Sequence, residues 1–113
     1  MGDEVRDVLV AVIAEVETTV TRDVIRQIVN RTIVREPAGR RLLAQLTKDP
    51  GMLVSGSTRI PRLLDRILLD LADAGGSTVR PPGCARCGRV ELLVCRDGED
   101  RICAACGRAR LDV

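Results

Sequence analysis

Apolar side chains recur at helical spacing in the first third of the chain. In residues 3–17 they stand three and four positions apart, and Asp3 and Glu4 favour the positive end of a helix dipole. A second helix is expected from Thr21, a good capping residue, to about Val34. The predicted core positions of these two helices are Val5, Val8, Leu9, Val12, Ile13, Val16, Val24, Ile25, Ile28, Val29 and Ile33.

Two further helices are predicted in the middle of the chain. Pro37 suits the first turn of the third helix, which ends at the turn sequence of residues 49–51. The fourth helix, from about Thr58 to Ala74, has the most regular apolar stripe and is followed by a glycine pair. Residues 52–54 are expected to fill the core from a loop. The predicted core positions of these helices are Leu42, Leu43, Leu46, Ile60, Leu63, Leu64, Ile67, Leu68 and Leu71.

The pattern changes after residue 76. The proline- and glycine-rich residues 77–83 indicate a boundary between two units. Beyond it, Val90 to Arg96 is predicted as a strand, Asp97-Gly98 as a hairpin turn and Asp100 to Ile102 as the returning strand.

Two Cys-x-x-Cys pairs frame this hairpin, and their members are Cys84, Cys87, Cys103 and Cys106. The 15 residues between the pairs are typical of a site in which four thiolates bind one Zn²⁺ tetrahedrally. We call the two segments, residues 84–88 and 103–107, the first and second knuckles. Each ends in a glycine, Gly88 or Gly107, which we expect to take a positive φ so that the backbone turns under the metal. Four protein ligands leave no position for water, so a single structural zinc is predicted.

Two alternatives bear on these cysteines. Iron sites of the rubredoxin kind use the same paired loops, but such proteins have an aromatic-rich core and this chain has no aromatic residue. Cys95 lies within the predicted strand, away from both knuckles, and is expected to be a small buried hydrophobic residue rather than a fifth ligand or a redox sensor. An odd total of five cysteines argues against a disulfide framework.

Together these patterns predict a mainly α protein. We expect a small four-helix bundle in residues 1–76, followed by a C-terminal four-cysteine zinc ribbon with a short β-hairpin in residues 77–113. The aliphatic composition suits packed helices. The absence of histidine and tyrosine removes a common base and a nucleophile, so no enzyme activity and no small-molecule substrate are expected. No secretory signal or membrane-length apolar stretch is found, so a cytoplasmic location with reduced thiols is expected.

The net charge is only +2, but it is unevenly distributed, with ten basic and four acidic side chains in residues 21–66. Arginines of the fourth helix precede Asp70 and Asp73, an order that opposes the helix dipole at a cost of about 0.3–1 kcal/mol per charge and hints at an external partner. Candidate nucleic-acid contacts are Arg59, Arg62, Arg66, Arg86, Arg89, Arg96, Arg101, Arg108 and Arg110. The alternative is a solvated surface in which these arginines pair with nearby acids.

Several segments also carry a family resemblance. They are residues 39–46, residues 49–53 with the helix that follows, residues 71–75, residues 82–89, and residues 97–98 onward to the last knuckle. In this layout the chain resembles the N-terminal module of site-specific recombinases, or integrases, of actinobacterial mobile elements. The resemblance implies a catalytic tyrosine with arginine and histidine helpers in a following domain, and a module that helps the enzyme find or hold DNA.

The sequence therefore leaves two alternative functions. The first is a non-catalytic zinc-containing module that binds double-stranded DNA, with affinity that falls steeply as salt rises. The second is a zinc-stabilised module that docks another protein subunit. No membrane partner is expected for either.

Overall fold

The computed structural model describes residues 3–58, 60–97 and 100–111. These residues form the helices α1 (Asp3–Val16), α2 (Arg22–Thr32), α3 (Glu36–Lys48), α4 (Arg62–Asp73) and α5 (Ala104–Leu111), a 3-10 turn (Pro50–Leu53), and the strands β1 (Cys95–Asp97) and β2 (Asp100–Ile102). The predicted fold class is confirmed, because a helical bundle is followed by a two-stranded antiparallel hairpin beside the cysteine cluster. Among the described residues, no helix combines the length and apolarity needed to cross a membrane.

The bundle core is aliphatic. Helix α1 packs against α2 and α3, and α2 packs against α4. The fully buried large side chains of this core are Leu9, Ile13, Ile25, Ile33, Leu42, Leu46, Leu53, Leu64, Ile67, Leu68 and Leu71. Two predicted core positions are wrong: Val8 is 45% exposed on α1, and Val54 points to solvent while its neighbour Leu53 fills the core.

Helix α4 begins four residues later than predicted. Pro61 occupies the position before its first turn with ψ 145, an extended conformation, and proline also pushes the preceding residue towards extended backbone. The predicted end is confirmed. Gly75 has φ +100, and the Gly76 N–H donates to the Leu71 carbonyl at 2.8 Å, which closes the last turn of the helix.

The segment after α4 is held on the bundle by Glu17. This side chain is fully buried just beyond α1, and its Oε2 accepts hydrogen bonds from the backbone N–H groups of Thr78 and Val79 at 2.8 and 2.9 Å. Its Oε1 accepts from the N–H and hydroxyl of Thr19. Burial raises the pKa of the Glu17 carboxyl, but these hydrogen bonds outweigh burial and lower the pKa to about 2. The predicted boundary segment therefore follows the bundle surface at a fixed position, and Val79 joins the core.

The hairpin is shorter than predicted. Residues 95–97 and 100–102 pair, with Cys95 opposite Ile102, whereas residues 91–94 lie outside the strands. Val90 forms only an isolated bridge with Gly83, and Leu93 is buried with its N–H directed at the bundle. In this stretch the Leu93 N–H donates to Asp65 of α4 and not to a partner strand. Gly98 of the predicted turn lies outside the described residues.

Helix α5 was not predicted. It begins directly after Cys103, and its sequence of alanines, arginines and a leucine contains good helix formers. The second knuckle is therefore the start of a helix, not a loop that ends the chain's regular structure.

Candidate metal centre and basic junction

The four predicted ligands come together. The Sγ atoms of Cys84, Cys87, Cys103 and Cys106 all lie within 4.8 Å of one another. The Sγ atoms of Cys87 and Cys103 are 3.8 Å apart. Tetrahedral zinc with Zn–S bonds of about 2.3 Å requires S···S distances of about 3.8 Å, so the cluster has the dimensions of a four-thiolate site. These residues could hold one metal ion, and soft thiolate donors are consistent with zinc.

The first knuckle is a turn organised around one sulfur. The Cys84 N–H donates to the Arg89 carbonyl at 2.9 Å, and the Gly88 N–H donates to the Cys84 carbonyl at 2.8 Å. Gly88 has φ +77, as predicted. The N–H groups of Arg86 and Cys103 point at the Cys84 sulfur, at 3.4 and 3.3 Å. Such N–H donors stabilise a metal-bound thiolate and fix its orientation, so this part of the structure fits a metal ligand.

The second knuckle is built differently. The Gly107 N–H donates to the Cys103 carbonyl at 2.9 Å within α5, and Gly107 is not among the glycines with positive φ, so that expectation is wrong. A methyl group at position 107 would lie 2.9 Å from Cys95 Cβ and closer still to its sulfur. Glycine is needed here for space. Cys95 is half-buried against the ribbon core and lies outside the four-cysteine cluster.

The thiols differ in their tendency to ionise. Burial raises the pKa of the Cys84 thiol, but hydrogen bonds from backbone N–H groups of both knuckles outweigh burial and lower it to about 6. The hydrogen bond with the Cys103 thiol, together with burial, raises the pKa of Cys106 to about 12. Four crowded thiolates repel one another, and a bound divalent cation removes that penalty, so metal binding at this site would release protons.

The structure separates the predicted arginines into two groups. Arg86, Arg89 and Arg108 are exposed around the knuckles. The other group consists of Arg62 and Arg66 on α4, Arg96 on β1 and Arg101 on β2, which line adjoining cavities where the bundle meets the hairpin. We call this second group the junction arginines. Arg59 lies outside the described residues, and the side chain of Arg110 is likewise not described.

The charge order along α4 has a local explanation at one end. Asp70 pairs with Arg31 of α2 at 3.1 Å, so an acid near the end of α4 helps to hold two helices together. An external partner is therefore not needed to explain Asp70. Arg62 and Arg66, at the start of the helix, remain exposed at the junction.

Sequence reasoning missed the acid beneath the junction. Asp65 is fully buried on the apolar face of α4, and its Oδ2 accepts the Leu93 N–H at 3.3 Å. Its Oδ1 finds no hydrogen-bond donor among the described residues. Burial raises the pKa of the Asp65 carboxyl, and the Leu93 N–H and the Arg101 charge counteract part of that rise. The available signal was position, because Asp65 stands three residues before Leu68 on the apolar stripe.

Arg101 joins the junction to the knuckles. Burial lowers the pKa of its guanidinium, and the nearby Asp65 counteracts that effect. Its carbonyl accepts the N–H of Ala85, in the first knuckle, at 3.1 Å. One residue thus connects the candidate metal centre to the surface of α4.

No protein-family model, no curated protein and no solved structure matches the chain. Its function is therefore inferred from its own residues.

Proposed function

We propose that the chain is a non-catalytic module in which a structural zinc ion orders a hairpin that, together with α4, binds double-stranded DNA. The observation that carries the proposal is the convergence of the junction arginines, which come from two distant parts of the sequence. Arg62 and Arg66 are 30 or more positions before Arg96, yet they line neighbouring cavities. Arginine binds backbone phosphates bidentately, which makes such a surface suited to a polyanion.

The zinc in this proposal holds structure and performs no chemistry. Cys84, Cys87, Cys103 and Cys106 would be its four ligands and would complete a tetrahedral shell. A catalytic zinc requires an open position for water, which a four-thiolate site does not offer. The ion's contribution would be to hold β1 and β2, and with them Arg96 and Arg101, against the bundle.

We further propose that the DNA is the recombination site of a mobile element. Support for this step comes only from the sequence resemblance to recombinase N-terminal modules, in residues 39–46, 49–53, 71–75, 82–89 and 97 onward. In that setting the module would position a catalytic domain carried elsewhere in the enzyme.

Duplex binding is tested by fluorescence anisotropy with a labelled duplex at two salt concentrations. We expect binding that weakens steeply with salt, by a slope of about 0.9 per phosphate contact in a log–log plot. Replacing Arg62, Arg66 and Arg96 together by glutamine should weaken binding at least ten-fold and reduce that slope by about 2–3. The matched control replaces Arg86, Arg89 and Arg108 by glutamine, which removes the same charge from the knuckles.

The two triple variants distinguish binding through the junction from binding through the knuckles. Absence of binding at low salt would overturn the DNA proposal. Equal losses in the two triple variants would show that overall charge, and not the junction, determines affinity.

A second candidate function is docking of another protein subunit through the ribbon. The observation that favours it is the exposure of two valines, Val90 at 58% and Val94 at 43%. This function predicts that the double variant Val90→Ser, Val94→Ser associates more weakly with the partner subunit, as measured by analytical ultracentrifugation. Its DNA binding should be unaffected. Association that is unchanged in the double variant would argue against it.

A further inference from the structure

One side of helix α3 faces away from the rest of the bundle. Its buried side consists of Gly39, Leu42 and Leu46. The opposite side carries residues three, four and seven positions apart, which share one face of a helix, and every one of them is exposed. We call this face the α3 stripe, and its members are Arg41, Ala44, Gln45 and Lys48.

The charge of the α3 stripe is positive. No acidic residue lies on it, although acids stand at both ends of the helix: Glu36 near the start pairs with Arg40 at 2.8 Å, and Asp49 follows the last residue. Arg41 and Lys48 form no ion pair within the described parts of the chain. The stripe therefore offers two cations to a negatively charged partner.

The polar groups of the stripe are also free to bind a partner. The side-chain hydrogen bonds that α3 makes among the described residues join Arg40 to Glu36 and Thr47 to the backbone of its own helix. These side chains lie outside the stripe. The donors of Arg41 and Gln45 are therefore not used within the bundle.

The residue types of the stripe are those that recognise base edges in DNA. Arginine forms two hydrogen bonds with guanine, glutamine forms two with adenine, and alanine contacts the methyl group of thymine. The small side chain of Ala44 also lets the helix backbone approach the bases. We propose that α3 lies in the major groove of duplex DNA and that Arg41 and Gln45 read base pairs there, an inference that rests on the duplex binding proposed above.

The dimensions of α3 suit this groove. An α-helix with its side chains is about 10–12 Å across, and the major groove is about 12 Å wide. From Arg41 to Lys48 the helix rises by about 10 Å, at about 1.5 Å per residue. This length corresponds to about three base pairs at about 3.4 Å each.

The α3 stripe adjoins the surface proposed for phosphate contacts. Arg41 and Gln45 line a cavity of about 250 Å³ together with Arg62, at the start of α4. Gln45 and Lys48 line a second cavity, of about 410 Å³, together with Arg101 of the hairpin. With α3 in the groove, Arg62 would lie beside the phosphates at the groove edge. Contacts from α4 would then position the module, and α3 would supply the discrimination between sequences.

Sequence preference is measured first. The zinc-loaded full chain is incubated with a pool of duplexes whose central segment is random, and the bound duplexes are recovered and sequenced over several rounds. We expect enrichment of a motif of about three base pairs that includes a guanine and an adenine. Binding of the pool without an enriched motif would overturn base reading and leave the proposed duplex binding intact. Absence of binding to the pool at low salt would overturn both.

Variants assign the motif to α3. Gln45→Lys should replace the adenine of the motif by guanine, because lysine donates to the guanine edge. Arg41→Ala should remove the preference for guanine and weaken binding to the selected duplex by about ten-fold. An unchanged motif in both variants would overturn the proposal. A changed motif in Gln45→Lys cannot result from unfolding, because an unfolded chain enriches no new sequence.

Arg40→Ala is the matched control. It removes one charge from the same helix, at a position outside the stripe. This variant should enrich the same motif as the parent chain. Loss of the motif in Arg40→Ala would overturn the proposal, because overall charge and not the stripe would then determine the preference. Zinc content and circular dichroism establish that each variant is folded.

Discussion

The bundle and the ribbon differ in how much apolar surface each can bury. Among the described residues, 17 buried side chains form the bundle core, whereas four form the ribbon core. Two of those four are Cys84 and Cys103, which are also candidate metal ligands. A cluster this small cannot offset the conformational entropy of the ribbon backbone, so a metal ion held by the four clustered cysteines would take over the role that apolar packing has in the bundle.

The two regions are nevertheless in contact. Thr58 donates its hydroxyl to the Asp100 carboxylate at 3.0 Å, Leu93 donates to Asp65, and Arg80 donates to the Leu53 carbonyl at 2.9 Å. These contacts orient the ribbon on the bundle. The comparison therefore predicts that loss of the metal unfolds the ribbon and leaves the bundle helical. Substitution of a bundle residue such as Glu17 is expected to lower the stability of the bundle instead.

The largest effect is expected from removing the metal. Structural zinc in small finger peptides contributes about 10–16 kcal/mol, so a strong chelator or Cys84→Ser should unfold the ribbon while the bundle stays helical. The measurement is an NMR comparison of amide signals from residues 84–106 with those of α1 to α4. Cys95→Ser is the control, since Cys95 lies outside the cluster.

Two results would contradict this expectation. Less than about half an equivalent of zinc in untreated protein would argue against the metal site. Cooperative loss of bundle and ribbon signals together would show that the two regions form one unit of stability.

A medium effect is expected from substitution of Glu17, which stabilises the bundle by holding Thr78 and Val79 against it. Glu17→Gln replaces a buried carboxylate that accepts three backbone N–H groups and the Thr19 hydroxyl, and we expect a loss of about 1–3 kcal/mol. Because the pKa in the fold, about 2, lies below the ordinary value of 4.5, this stabilisation is full above pH 4.5 and disappears as the pH falls towards 2. Urea unfolding at several pH values measures both effects.

The control for Glu17 is Glu15→Gln, at an exposed position near the end of α1. The Glu17→Gln protein should show a smaller loss of stability between pH 4.5 and pH 2 than either the parent or the control. An unchanged pH dependence would mean that Glu17 is not the buried anion described above.

Of the two glycines that end the knuckles, Gly107 is expected to have an effect similar in size to that of Glu17, and Gly88 the smallest effect. Gly107→Ala meets Cys95, and overpacking of this kind costs about 1–3 kcal/mol. Gly88→Ala meets no atom within 4 Å but strains a φ of +77, which costs about 1 kcal/mol. Competition with a chromogenic zinc chelator measures the loss of metal affinity in each variant.

A second substitution distinguishes the two glycines. Adding Cys95→Ala removes the sulfur that crowds position 107, so it should recover part of the affinity lost in Gly107→Ala. The same addition should not help Gly88→Ala. Equal rescue of both would show that the knuckles are not built differently.

The sequence was informative wherever local pattern determines structure. The apolar stripes predicted α1 to α4 within a few residues, because periodicity and turn residues act over short distances. The spacing of the cysteines predicted which four would cluster. Both kinds of signal depend on neighbours in sequence.

The remaining features depend on what lies across the fold. Glu17 has the local appearance of a solvent-facing acid, and only the position of Asp65 on the apolar stripe of α4 indicates burial. Their long-range hydrogen-bond partners, Thr78, Val79 and Leu93, lie 28 to 62 residues away in the sequence. The space requirement at Gly107 likewise arises from Cys95 on another element. Local pattern contains no information on such distant contacts.

The hydrogen bonds of Glu17 also determine where the chain can be cut. A fragment that stops at residue 76 would lose the Thr78 and Val79 donors and leave the buried Oε2 of Glu17 without these two hydrogen bonds. It would also lose Val79 from the core and the Arg80 contact with the Leu53 carbonyl. A fragment intended to isolate the bundle should therefore extend through Arg80, which leaves the proline pair of residues 81 and 82 as the point of division.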